Sequence, residues 1–174
     1  MYKAIATFAA MALWACGVSF GEEKTKSVEF GKDTKHTMTV PEKWETSTPG
    51  GMRALEVKVP KQGDDKDDGE IAVFIFAAGG GVDANIARWS KQMGGGEAKK
   101  SEAKTASGKT ATMVEIEGTY AGMGKDGQPM AAKEGYKLLG AIVDDDGVFI
   151  KLTGPKATIA ASKAAFDAMI ASYK

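Results

Sequence analysis

The run from Glu70 to Ala78 carries Ile71, Val73, Phe74, Ile75 and Phe76, so apolar side chains fall on both alternating faces. A strand that is apolar on both faces must be covered on both. This run therefore predicts a central strand in a layered domain, with a helix or loop layer on each side of the sheet. Two more apolar runs, Tyr136 to Val143 and Val148 to Thr153, are joined by Asp144-Asp145-Asp146-Gly147, a strong hairpin signal. Met52 to Val59 alternates, with Leu55, Val57 and Val59 on one face and Ala54, Glu56 and Lys58 on the other. Thr37 to Val40 is β-prone and stops at Pro41, which has no N–H to donate; Trp44 then drops back onto the core. Lys99 to Ala106 reads as a lysine-guarded edge strand, and Thr110 to Tyr120 as another strand.

Two segments are helical. One follows Gly79-Gly80-Gly81. The other opens at Gly154-Pro155 and places Ile159, Phe166, Met169, Ile170 and Tyr173 on one stripe. Strands joined by short turns are antiparallel neighbours. The expected class is α+β: an antiparallel β-sheet of about six or seven strands sandwiched by helices, not a doubly wound sheet.

The amino-terminal segment has a different character. Met1-Tyr2-Lys3 is followed by a charge-free stretch from Ala4 to Val18, then small residues and a charged run from Glu22. This is the pattern of a secretory signal peptide over 1–21. Leu13-Trp14-Ala15-Cys16-Gly17 offers a second route, lipidation at Cys16, with Trp14 out of place in a lipoprotein box. Residues 22–36 are polar, with Val28 and Phe30 as the only large apolar residues, and read as a tether, with or without one early strand; 37–174 reads as one domain. The expected location is secreted or periplasmic, with a lipid-anchored envelope protein as the alternative. No membrane span is expected once the signal is removed.

Composition excludes several functions. Lys plus Arg equals Asp plus Glu, at 23 each, which argues against a general nucleic-acid binder. The single Cys and single His cannot build a structural zinc site. His36 lies in a polar approach to the first strand, far from any Gly-x-Ser-x-Gly elbow, and reads as a surface residue. Asp64, Asp65, Asp67 and Asp68 miss the EF-hand pattern, with Lys66 third and Ile75 twelfth; a solvated hairpin loop accounts for them. No Walker motif or Gly-x-Gly-x-x-Gly loop is present. No catalytic residue, cofactor or metal is expected.

The stretch from Gly79 to Met93 holds the only Asn and one of two Arg in a chain whose other basic residues are Lys. The second arginine, Arg53, reads as half of a surface ion pair. Asp83 is placed to cap the short helix. Ile86, Trp89 and Met93 share the face that packs on the sheet. Asn85, Arg88 and Gln92 flank it, beside glycines that let a ligand approach the backbone. They form either a small polar or anionic pocket or partner contact, or a set of bonds that locks the helix to the sheet. The loop from Ala121 to Gly135 has no assigned role.

Val40-Pro41-Glu42-Lys43-Trp44 resembles the strand–Pro–x–x–Trp opening of PsbP-like domains. That fold is shared with a Ran-binding nuclear import factor. Asn85-Ile86-Ala87-Arg88-Trp89 with Gln92, Gly118-Thr119-Tyr120, Tyr136 to Ala141 and Lys151-Leu152-Thr153-Gly154-Pro155 are similar to uncharacterised exported bacterial proteins of this type. The resemblance implies an antiparallel sheet between helical layers, in a family whose characterised members mostly bind other proteins. It brings no catalytic motif. The expected function is a non-catalytic binding or protein-interaction module, with an unknown protein or small polar ligand as partner. The alternative is a small envelope enzyme, a hydrolase or isomerase with an unfamiliar site.

Overall fold

The computed structural model describes residues 23–76, 80–122 and 128–174. The signal-peptide segment with Cys16, Gly79 and the middle of the 121–135 loop lie outside the described residues. Among the described residues nine strands and two helices follow in order: β1 (Thr25–Phe30), β2 (His36–Pro41), β3 (Glu45–Ser47), β4 (Arg53–Val59), β5 (Gly69–Ile75), α1 (Gly81–Gln92), β6 (Lys99–Lys104), β7 (Thr110–Tyr120), β8 (Lys133–Val143), β9 (Val148–Pro155) and α2 (Lys156–Ala171).

Seven strands form one antiparallel sheet in the order β3-β4-β5-β9-β8-β7-β6. β1 and β2 pair as a separate two-stranded hairpin. The polar segment 22–36 thus carries one early strand, β1. Val28 and Phe30, its only large apolar residues, are spaced to put both side chains into the core, where they are 8% and 3% exposed.

The middle strand is β9, in which every residue is buried. Its alternation divides the core. Val148, Ile150 and Leu152 face α2 and the β1–β2 hairpin; Phe149 faces α1. β5 sits beside β9, and Ile71, Ala72 and Val73 are buried from both sides as expected. Trp44 is 1% exposed and anchors the α2 side.

The helices lie on opposite faces of the sheet, and α1 is a crossover between strands. α1 leaves β5, near one edge, and delivers the chain to β6 at the other, so it must traverse a face of the sheet. It enters through Gly80 and Gly81, at φ of 77° and 76°, a region where side chains other than glycine are strained. Ile86, Trp89 and Met93 are buried against the sheet. Trp89 lies on Gly140 of β8, where a Cβ would sit 2.3 Å from the indole. Asp83 does not cap this helix: the cap position is Gly80, and Asp83 pairs with Lys100 instead at 2.7 Å.

α2 crosses the opposite face and buries Ile159, Phe166, Met169 and Ile170 completely, worth roughly 1.5–3 kcal/mol each. Pro155 stands at its cap position and offers no side-chain acceptor. The acceptor comes from far away in sequence. Asp65, in the β4–β5 loop, takes hydrogen bonds from the Thr158 N–H at 2.8 Å and the Thr158 hydroxyl at 2.6 Å. The acidic loop is therefore a structural part and not only a solvated turn.

Candidate functional site

On the α1 side of the sheet, β9 places Lys151 between two small neighbours. Its register partners are Ala72 on β5 and Gly140 on β8. Lys151 is 9% exposed. Its ammonium donates to the Gln92 side-chain oxygen at 3.0 Å and stands 5.5 Å from the centre of the Tyr120 ring. Among the described residues no carboxylate lies within 4.0 Å of it. Burial, with repulsion from Arg53 and Arg88 only partly offset by Glu70, lowers its pKa to about 8. A neutral amide and a ring face stabilise an ammonium far less than a carboxylate would.

The lysine belongs to a belt across this face. Tyr120 stacks on Tyr136 at 5.9 Å and 4°. The Tyr136 hydroxyl donates to Asp67 at 2.7 Å, and Lys133 donates to the same carboxylate at 2.9 Å. Desolvation and the adjacent Asp67 raise the Tyr136 pKa; desolvation also raises that of Tyr120. Beyond Ala72, Arg53 bonds Glu56 and Glu70, both at 2.8 Å. Arg53 and Glu56 are 11% and 5% exposed as side chains, so this pair is buried where a surface pair is expected. The reason is register. Glu56 points to the α1 side beside Ala72, too small to fill the layer, and the guanidinium fills it.

The three residues singled out in α1 do not meet at one point. Asn85 is buried and donates to the Gly81 carbonyl at 2.8 Å; Arg88 donates to the Asn85 side-chain oxygen. Gln92 lies further along the helix and turns to Lys151, while its backbone carbonyl accepts the Ala121 N–H at 2.7 Å. Arg88 is exposed and lies close enough to Lys151 to repel it, so the two ends of the trio are joined through the lysine. Lys151 escapes sequence reading because lysine is the commonest charge here. The signal lies in its position, a charged residue alternating with Phe149 in a fully buried strand.

The solution structure of cyanobacterial PsbP (CyanoP) from Synechocystis sp. PCC 6803 superposes with a TM-score of 0.51. The match covers 93% of this chain and 98% of that one, at 13% identity. The fold is PsbP-like. That identity carries the PsbP-like architecture and no residue roles. No family model and no curated protein matches the chain. Among the described residues, no helix is long and apolar enough to cross a membrane.

Proposed function

We propose that this chain is an exported, non-catalytic binding module whose contact site is the polar edge of α1 joined to Lys151. Export rests on the secretory pattern of residues 1–21. The site reading is carried by one observation: a buried ammonium without a carboxylate partner among the described residues. The cost of desolvating that cation is met in the free protein. A carboxylate that reaches it makes a charge-assisted hydrogen bond in a low-dielectric setting. Arg88, exposed on the same helix as Gln92, adds a second positive charge whose field reaches Lys151. Asn85 holds Arg88, and Gln92 holds Lys151. The ligand class is therefore a small carboxylate or an acidic partner segment.

The same lysine supports the alternative, a small envelope hydrolase or isomerase, because an amine with a lowered pKa is a better nucleophile or base. Against it, the nearby buried carboxylate, Glu56, is engaged by Arg53 and by the Ser47 hydroxyl at 3.0 Å. The group that touches Lys151 is a neutral amide. Binding is the better reading. The test is thermal unfolding of the protein at pH 7 against succinate, citrate and an oligo-glutamate peptide. A saturable rise in Tm is expected, lost in Lys151→Met and reduced in Arg88→Ala. No rise with any of the three sinks the reading.

A further inference from the structure

On the opposite side of the sheet, His36 is buried to 5% exposure, although its surroundings in sequence are polar. Its ring stacks on Tyr173 at 5.4 Å and 19° and lies 5.5 Å from Phe30. The imidazole Nδ1 and the Tyr173 hydroxyl are 2.8 Å apart. The same hydroxyl donates to an Asp146 carboxylate oxygen at 2.8 Å, and Lys109 pairs with the other oxygen of Asp146. A phenol has one proton. Spent on Asp146, it leaves the Tyr173 oxygen as an acceptor, so His36 carries its proton on Nδ1. The neutral ring then presents a bare lone pair at Nε2. Among the described residues Nε2 has no hydrogen-bond partner, yet no buried side-chain nitrogen or oxygen is left unsatisfied, so Nε2 is open to solvent.

It opens on a surface cavity of about 820 Å³ between the β1–β2 turn, the β3–β4 loop and the β8–β9 turn. That is the size of a small-molecule site. Phe30, Ala54 and Ile75 supply apolar wall. The charges at the rim are mostly consumed: Lys35 pairs with Glu29, Arg53 with Glu56 and Glu70, and Asp146 with Lys109. Asp33, Asp145 and Lys32 are left without an ion pair among the described residues, an excess of one negative charge. An acceptor nitrogen whose tautomer is fixed from behind, an apolar wall and an acidic rim together ask for a donor cation on an apolar body.

We propose that this cavity binds a small organic amine, its ammonium donating to His36 Nε2 and facing Asp145, its apolar part against Phe30 and Ile75. Tyr173 and Asp146 act as positioning residues that hold the acceptor tautomer. The site uses none of the α1 residues or Lys151, so it stands or falls separately from the carboxylate site.

The test uses the only histidine as its own reporter. In the full ¹⁵N-labelled protein at pH 8, phenethylamine is expected to shift the Nε2 resonance saturably, and phenylacetate to leave it unmoved. Asp145→Asn, an exposed change that leaves the core intact, is expected to weaken the amine several-fold. Tyr173→Phe is expected to mix the two imidazole tautomers and to weaken binding in step. The proposal is overturned by no saturable shift with the amine, by an equal shift with phenylacetate, or by a response to Zn²⁺ alone.

Discussion

Lys151 decides how the α1 face behaves, and its chemistry gives a prediction with a sign. Its pKa is lowered from 10.5 in the unfolded chain to about 8 in the folded one. Below pH 8 it is charged in both states, and the whole cost of burying the ammonium is present. Between pH 8 and 10.5 the unfolded chain holds the extra proton, so stability rises with pH across that window. At about 1.4 kcal/mol per pH unit the rise amounts to about 3 kcal/mol. Lys151→Met keeps the apolar stem and removes the charge. It is expected to be more stable than the parent at pH 7, by up to about 3 kcal/mol, and equal to it near pH 10.5. Urea unfolding of both proteins from pH 7 to 10.5 measures the gap. A gap that does not close with pH would mean that the lysine is not strained by burial. Single residues were unevenly legible from sequence. Trp44 and the α1 stripe of Ile86, Trp89 and Met93 follow from periodicity. His36 does not, because the Tyr173 that buries it lies 137 positions away.

The elements were easier to read than the contacts that end them. Alternation identifies β4, and double-sided apolarity identifies β5. The Asp-Gly turn joins β8 to β9 through a short 3₁₀ turn, with Gly147 at φ 60°. β1 is weakly marked in the sequence, because two apolar residues in a polar run look like a tether with at most one early strand; pairing with β2 makes it a strand. The missing caps share one cause. Gly80 and Pro155 stand at the helix starts and carry no acceptor, so α2 borrows Asp65 from a loop 93 positions earlier. Asp65→Ala leaves the first turn of α2 without that partner. It is expected to cost about 1 kcal/mol, within the range for a lost cap, and to speed exchange of the Thr158 amide. An unchanged Thr158 exchange rate would show that water replaces the carboxylate without loss. The crossing of α1 over β8 is set by Gly140. Gly140→Val places branched carbon where the Trp89 ring lies, and repacking is expected to cost at least about 1–3 kcal/mol. The change in Trp fluorescence reports whether the helix has lifted.

Ser172, Tyr173 and Lys174 bond the β1–β2 hairpin to the end of α2. A two-stranded hairpin is barely stable alone, and β1–β2 is such a hairpin, bonded to each other and not to the seven-stranded sheet. Tyr173 and Lys174 attach it. Lys174 exchanges two backbone hydrogen bonds with Thr37, at 3.0 and 3.1 Å, in the manner of a third strand. Ser172 accepts the Thr39 N–H at 2.8 Å. Tyr173 is fully buried between His36 and Phe30, its carbonyl accepts the Ser107 N–H of the β6–β7 turn, and its hydroxyl reaches Asp146 in the β8–β9 turn. Burial, then the neighbouring Asp146 carboxylate, pushes that hydroxyl far above the usual tyrosine range, so it stays protonated and keeps donating. One residue thus joins the hairpin and the β8–β9 turn through its side chain and the β6–β7 turn through its backbone carbonyl. Sequence reading finds Tyr173 as one more residue on a helical stripe; its role appears only when three distant turns converge on it. Deleting Tyr173 and Lys174 is expected to cost about 3–5 kcal/mol, the usual range for truncating a buried aromatic. The loss should be uneven. Amides of Thr25–Pro41 are expected to lose most of their exchange protection while β8 and β9, covered on both faces, keep theirs. Hydrogen exchange on the truncated protein distinguishes this from uniform weakening: equal losses in the hairpin and the central strands would mean that the carboxyl end stabilises the whole and is not the clamp of one part.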